Sequence, residues 1–373
     1  MNNQMNFATE FPAGKATGLI TKIQKLARQN GSEARIVGGA VRDWLMRRPV
    51  KDFDMAINMP ITRFVNILNK HNIKFYETGI AHGPITVAQD DVSIEVTQTR
   101  IDVKSDGRHS EVKETTDWSA DANRRDFTVN AIYVTDDGTM YDPYNGALDI
   151  QRKKLKFIGC ADARIEEDYL RILRAFRFVA CLPAFVLPKR DIDAIKRHCH
   201  HINTLSAERI TDEFSKWLAA ENPITALKLA VKIGLDRRGF GFEFSLDNLK
   251  IGKLEQAFLQ LDWLARQVSI TPVSDKNKIA SVMQFSRQQQ KRFERLMRGL
   301  TEEEAEALTK NLRLVGRDCG RSWAKCTVQK QHRGILPRFH SPLVWRRVQI
   351  QNLGLRDWDY AMGESVVAIL QCC

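Results

Sequence analysis

The sequence is short of what a disulfide, zinc or membrane architecture needs. Its seven cysteines (Cys160, Cys181, Cys199, Cys319, Cys326, Cys372 and Cys373) are odd in number and scattered, with no CxxC pair. That excludes a disulfide framework and a thiolate metal site, and predicts a reducing compartment. No apolar run reaches the ~18 residues that a bilayer-spanning helix requires, so the expectation is a soluble chain with no membrane partner. Met1–Phe11 lacks the basic opening and apolar stretch of a secretory leader, and it is not an Arg-rich presequence either. A cytoplasmic location is therefore expected. Internal repeats and low-complexity linkers are missing too. With 43% hydrophobic and 27% charged residues, the composition excludes collagen-like and disordered classes. Acid is in deficit: 57 Lys and Arg against 45 Asp and Glu leave a net charge of +12. A field of that sign draws polyanions, nucleic acid foremost.

A chain of 373 residues exceeds one ordinary core and predicts two or more packed units. Its character changes near residue 155. Upstream, β-type patterns predict strands at Ala34–Ile36, Asp52–Ile57, Ile85–Ala88, Val92–Thr99 and Thr128–Val134. Asp136-Asp137-Gly138 signals a hairpin turn into a short strand at Met140–Tyr141. Helical spacing marks Ile61–His71 and the stretch after Ala40. Downstream of residue 160 the pattern turns helical, with amphipathic helices predicted at Ile165–Leu182 and Ala207–Ala220. The fold class expected is α+β: an N-terminal head with a small mixed β-sheet and helices, then an all-α remainder.

Three segments of the head carry chemistry. In Ile36-Val37-Gly38-Gly39-Ala40-Val41-Arg42-Asp43, two glycines between a strand and a helix let backbone approach an anion, and Arg42 offers a guanidinium fork. In Lys51-Asp52-Phe53-Asp54, strand periodicity puts Asp52 and Asp54 on one side. Folding gains nothing from two neighbouring carboxylates, whereas a divalent cation would bind them, and Mg²⁺ takes one or two carboxylates together with phosphate oxygens. Glu95, on a strand with apolar neighbours, is either a third carboxylate near that site or a salt-bridge partner. In Asn123-Arg124-Arg125-Asp126-Phe127-Thr128-Val129-Asn130-Ala131, Arg125 could reach a triphosphate or ribose, or form a surface ion pair. Asn130 is an amide inside an apolar run and needs a partner there. Consecutive His198-Cys199-His200-His201 cannot easily share one tetrahedral ion, so no metal is expected at that cluster.

Taken in order, GGAVRD, DFD and RRDFTVNA resemble the head of the class II tRNA nucleotidyltransferases and their poly(A) polymerase relatives. The likeness continues through Glu167-Asp168-Tyr169-Leu170-Arg171 with Arg174 and Arg177, and through Glu208-Arg209-Ile210 with Glu213 and Lys216. It covers about residues 30–220. The resemblance implies a nucleotidyltransferase head (1–155), a helical neck with a nucleotide-templating motif (156–225), a helical body (226–300) and a basic helical tail that binds tRNA (301–373). It also implies Mg²⁺ on Asp52 and Asp54, and nucleotide contacts from Gly38, Gly39, Arg42 and Arg125. Asp168, Arg171, Arg174 and Arg177 would select CTP and ATP.

A physical account supports that selection. On one helix Asp168 and Arg171 would be i and i+3 and share a face. A carboxylate accepts from the amino group of cytosine or adenine while a guanidinium donates to the ring nitrogen, a pattern that uracil and guanine do not offer.

The activity implied is addition or repair of the 3′-terminal CCA of tRNA, with pyrophosphate released. An A-adding enzyme or poly(A) polymerase of the same family and a catalytically silent RNA-binding protein are the alternatives. The polar stretch Arg100–Trp118 corresponds to a family loop, mobile there, that accompanies full CCA addition. Arg313, Arg317, Arg321 and Lys325 recur every four residues and would form a basic ridge if helical. No His-Asp pair suggests an added phosphohydrolase.

Overall fold

The computed structural model describes residues 14–50, 52–77, 83–105, 110–182, 184–246, 258–259 and 261–298. The basic repeat at Arg313–Lys325 and the whole of the expected tail lie outside the described residues. The chain divides into two compact units, residues 1–171 with 184–198 and residues 172–183 with 199–373.

The first unit opens with α1 (Thr17–Gln29), which buries Leu19, Ile20, Ile23, Leu26 and Ala27 along one face. Strand β1 (Ala34–Val37) then leads through Gly38 into the short helix α2 (Gly39–Leu45). Next come β2 (Asp54–Ile57), α3 (Ile61–Lys70), β3 (Lys74–Glu77), β4 (Ile85–Gln89) and β5 (Val92–Gln98). A separate hairpin, β6 (Arg100–Ser105) with β7 (Ser110–Glu114), precedes α4 (Trp118–Asn123). Then follow β8 (Tyr133–Val134), β9 (Met140–Tyr141), α5 (Gly146–Gln151), α6 (Ala161–Glu167), α7 (Leu170–Cys181), which belongs to the second unit from Ile172 onward, and α8 (Lys189–His198), again of the first.

The main sheet has seven strands in the order β3-β4-β5-β2-β1-β8-β9. Only β2 and β5 run parallel; the other neighbours are antiparallel. The expected mixed sheet is therefore present. Its centre is β2, where Met55, Ala56 and Ile57 are all buried, as a strand covered on both faces requires. The α3 face is set by Ile61, Phe64, Ile67 and Leu68. Its start is pinned by the buried Gln98 side chain, whose Oε1 accepts from the Ile61 amide at 2.9 Å.

Three expected elements differ. The strand expected over Thr128–Val134 is a 3-10 turn at Thr128–Asn130 followed by only two strand residues. Asp126 and Asn130 divert the backbone: Asp126 Oδ1 accepts from the Phe127 amide and from Asn130 Nδ2, and such local side-chain bonds compete with a ladder. The polar stretch after Arg100 is a strand pair on both sides of residues 106–109, which lie outside the described residues. The helix expected over Ile165–Leu182 breaks at Asp168 and Tyr169.

Gly146 is fixed by packing, since a Cβ there would sit 2.2 Å from the Thr128 carbonyl oxygen. Asp142 caps the helix that follows, accepting from the Gly146 and Ala147 amides at 2.7 and 2.9 Å.

In the second unit α9 (Ala207–Ala219) and α10 (Pro223–Ile233) follow each other, with Pro at the start of α10 and Gly234 at φ 76° ending it. The core is aromatic: Phe214 lies 4.7 Å from Phe240 and 5.1 Å from Trp217, between ring centroids. Helices α11 (Trp263–Ser269), α12 (Lys276–Val282) and α13 (Arg287–Arg298) complete the described part. Buried Arg266 donates to the carbonyls of Leu218, Ala220, Phe258 and Leu259, which disperse its charge. Among the described residues no helix is long and apolar enough to cross a membrane.

Candidate active site

Strand register lays the site out as a row. Reading across the sheet, Glu95 on β5 stands beside Asp54 on β2, Asp54 beside Val37 on β1, Val37 beside Tyr133 on β8, and Tyr133 beside Tyr141 on β9. Registered neighbours share a face, so this row decides which side chains meet. Val37 and Tyr133 belong to a buried cluster with Ala56, Trp118 and Ala122, while Asp54 and Glu95 are exposed at the other end of the row. Asp52 precedes the strand instead of lying within it, but Phe53 is buried between two exposed aspartates, so the expected alternation is present.

The electrostatics of the row are those of crowded carboxylates. Desolvation pushes the Asp54 carboxyl above its usual range, Arg125 opposes the shift, and Asp52 adds to it. Glu95 is raised as well, first by desolvation and then by Asp54. The structure thus brings Glu95 to the carboxylate pair. Among the described residues no group of three or more His, Cys, Asp or Glu side chains is arranged to hold a metal ion. The donors on hand are the hard carboxylate oxygens of Asp52 and Asp54, a set that fits Mg²⁺ completed by phosphate and water.

Gly38 leaves β1 next to Asp54 with φ 75°, a left-handed conformation that suits glycine. A Cβ on Gly38 would have Arg125 Nη1 at 3.7 Å and Asp54 Oδ2 at 4.0 Å as nearest neighbours. Gly38, Asp54 and Arg125 therefore converge on one spot. Gly39 stands 3.5 Å, measured the same way, from Arg42 Nη2. Arg42 Nη1 donates to Asn130 Oδ1 at 2.8 Å, and its Nε donates to Asp43 at 3.0 Å. Asn130, a buried amide in the sequence reading, thus links Arg42 to Asp126. The spacing of 88 residues between Arg42 and Asn130 hid that link from the sequence.

Arg125 is not a surface ion pair. Its Nε donates to Tyr133 Oη at 2.9 Å and its Nη2 to Asp121 Oδ2 at 3.3 Å. Asp121 and Tyr133 were not singled out in the sequence. The i, i+4 spacing of Asp121 and Arg125 at the end of a helix was the one available signal.

The Asp168–Arg177 segment corrects the helix-face argument. Asp168 has extended backbone at φ −159°, and its Oδ1 accepts from the Leu170 amide at 3.1 Å, so it caps α7 from outside the helix. Arg171 is buried and donates to Glu167 at 2.6 Å and to the carbonyls of Arg164 at 2.8 Å and Arg124 at 3.3 Å. In the second unit Arg177 Nε donates to the buried Glu213 at 2.6 Å, and Arg174 lies 3.6 Å from the same carboxylate. His198 ends α8 with Nε2 3.0 Å from Asp162.

Residues 34–156 match the poly A polymerase head domain, and residues 185–237 match the probable RNA and SrmB-binding site of polymerase A. The chain is 38% identical over 230 residues to the mitochondrial CCA tRNA nucleotidyltransferase 1 of Danio rerio, covering 61% of this chain and 53% of that protein. It is 37% identical over 218 residues to the CCA-adding enzyme of Streptococcus pyogenes, covering 58% of this chain and 52% of that protein. The match therefore spans about half the length of these relatives. The fold is like that of the Bacillus stearothermophilus CCA-adding enzyme solved with CTP, at a TM-score of 0.62 and 23% identity over 94% of this chain and 92% of that one. A CCA-adding enzyme in an apo form gives a TM-score of 0.66 at 15% identity, over 97% and 91% of the two chains. The likeness seen in the motifs thus extends to sequence and fold: residues 34–156 resemble a poly A polymerase head domain, residues 185–237 resemble the probable RNA-binding site of that polymerase, and the fold is similar to that of CCA-adding enzymes.

Proposed function

We propose that this chain is a Mg²⁺-dependent RNA nucleotidyltransferase that adds or repairs the 3′-terminal CCA of tRNA from CTP and ATP, without a nucleic-acid template. The observation that carries the reading is the convergence of Asp54, Gly38 and Arg125, with Asp52 and Glu95 beside Asp54. The names of the relatives support tRNA as acceptor, and the solved complexes with CTP, ATP and primer tRNA support the nucleotides and the RNA partner. We keep the division into head (1–155), neck (156–225), body (226–300) and basic tail (301–373), and a cytoplasmic location, as parts of the same reading.

Asp52 and Asp54 would hold the metal. Bound there, it would supply charge stabilisation to the attacking 3′-hydroxyl oxygen and the departing pyrophosphate. The open backbone at Gly38 and Gly39 gives the triphosphate room to approach, and Arg42 and Arg125 carry fixed positive charge to its oxygens. Arg42 is oriented by Asn130, so little reorganisation is needed when the substrate arrives. No covalent enzyme intermediate is required: the RNA hydroxyl attacks the α-phosphorus directly and pyrophosphate leaves. Asp168, with Arg171, Arg174 and Arg177, remains our candidate set for base choice. Arg171 acts there through its neighbours, since its donors hold Glu167 and two carbonyls.

The test is addition to tRNA transcripts that end before the CCA, after C and after CC, each given CTP, ATP or both, with products sized to one nucleotide. Two C additions and one A followed by a stop are expected. A single A on the CC-ended transcript alone would mean an A-adding enzyme, and long A tails a poly(A) polymerase. No addition would leave RNA binding without catalysis.

A further inference from the structure

Arg125 reaches the spot beside the Gly38 turn that Asp54 also approaches, and its direction is set from behind. Two of its three nitrogens are held: Nε by the Tyr133 hydroxyl at 2.9 Å and Nη2 by Asp121 Oδ2 at 3.3 Å. The third, Nη1, is the atom nearest the open side of Gly38. Tyr133 Oη in turn donates to the same Asp121 oxygen at 2.7 Å. The other oxygen of Asp121 accepts from Arg124 Nε at 2.8 Å and from the Arg100 backbone amide at 3.2 Å. One carboxylate, 0% exposed, is therefore the hub that joins helix α4, strand β8, the first residue of the β6–β7 hairpin and two guanidinium groups.

Fixing a long side chain costs rotamer entropy, and a guanidinium meant to meet a phosphate in one orientation gains when that cost is met before the ligand arrives. The network has this form. The Tyr133 ring lies under the guanidinium at 5.2 Å from centroid to Cζ, which removes the rotation that a single hydrogen bond would leave. Tyr133 is itself fully buried and packed edge-on against Trp118 at 5.6 Å. Because Asp121 faces two arginines, it balances only one of their charges, and the surplus is positive. Burial alone would raise the Asp121 carboxyl, but Arg125, Arg124 and the bonds from Tyr133 and Arg124 together hold it below its usual range. The hub therefore stays ionised at neutral pH.

We propose that Asp121 is a positioning residue which, together with Tyr133, aims Arg125 at the phosphates of the incoming nucleoside triphosphate beside Asp54. The proposal rests on the nucleotidyl-transfer reading given above. Asp121 touches no substrate; it acts through Arg125. Asp121→Asn keeps the shape, removes the charge and turns an amide N–H toward one of the arginine donors. Tyr133→Phe removes one bond and leaves the ion pair.

The experiment uses the full chain, the CC-ended tRNA transcript and ATP. It reads the KM for ATP, kcat, the tRNA dissociation constant by filter binding, and the thermal midpoint. Asp121→Asn is expected to raise the KM for ATP by ~10-fold or more with kcat changed less, and Tyr133→Phe by about threefold, the scale of one charged and one neutral hydrogen bond. The tRNA constant should stay within about twofold for both. A fall in thermal midpoint or active fraction at unchanged KM would mean a purely structural hub and would overturn the proposal. Should Asp121→Asn fail to fold, Tyr133→Phe decides alone, and an unchanged KM in that variant overturns it. Addition by the parent chain with no KM effect in either variant overturns this inference only. No addition by the parent chain overturns the nucleotidyl-transfer reading and this inference with it.

Discussion

The two regions that the sequence marked out, around Asp54 and from Asp168 to Arg177, are built on opposite principles. Around Asp54 the side chains are placed by strand register, and the carboxylates that result are crowded, desolvated and not neutralised by one another. From Asp168 to Arg177 the side chains are placed by a helix break and by ion pairs, Arg171 with Glu167 and Arg177 with Glu213. The first arrangement sets carboxylates against one another, and a bound cation would relieve that repulsion. The second holds its guanidinium groups in ion pairs and bonds to carbonyls that stabilise the fold. A site can therefore be strained in one place and satisfied in another, and mutations should separate the two.

The largest separation is expected at Asp54. Asp54→Ala should lower nucleotide addition by at least ~10³-fold while tRNA affinity and thermal midpoint barely change. A matching loss of tRNA binding in a filter assay would remove it from catalysis. Arg171→Ala should do the reverse. It removes a buried donor from the carbonyls of Arg164 and Arg124 and from Glu167, which keeps Arg164 as a partner, so urea unfolding should show a loss of roughly 1–3 kcal/mol. Stability unchanged within about 0.5 kcal/mol would break the contrast drawn here. Asp168→Ala sharpens it: loss of the cap should cost only about 1 kcal/mol, whereas incorporation of UTP or GTP relative to CTP and ATP should rise. Unchanged base choice would make Asp168 a cap and nothing more. The smallest effect concerns acid. The folded value of Asp121 lies below the ordinary 3.8, so its contribution is present above that pH and is lost as pH falls toward the folded value. Asp121→Asn should therefore flatten the acid limb of a stability profile below about pH 4, while a parallel downward shift at all pH values would assign the loss to packing.

What was legible in the sequence follows the same division. Gly38-Gly39 and Asp52–Asp54 could be read because each is a violation: two glycines where a helix begins, and like charges where a strand gains nothing from them. Ile85–Ala88 and Met140–Tyr141 were legible from a β-type run and a turn signal, and the first strand proves one residue longer, Ile85–Gln89. The Thr128–Val134 stretch was misread because its β-branched residues outweighed Asp126 and Asn130, whose side chains capture the backbone between them. The helix break at Asp168 was hidden for a related reason. Apolar periodicity continues through Ile165, Leu170 and Leu173, and a capping aspartate in its midst reads as one more polar position. Asp121 and Tyr133 were beyond reach, because a buried carboxylate looks like any surface aspartate until the strand that covers it is in place.

The row from Glu95 to Tyr141 also says where the gene can tolerate insertions and deletions. Lengthening the connections that enter β2 or leave β5 moves none of its members, because register is held by the ladders and not by the loops. Deleting Met55 within β2 would slip the strand by one residue, and if Ala56 and Ile57 keep their ladder partners, Phe53 would take the place of Asp54 one step from Glu95 and leave Glu95 beside a hydrocarbon. Codon-level drift should thus be plentiful in the loops and almost silent in length across these four-residue strands, a pattern that length variation among natural or randomised variants would reveal without any assay of activity.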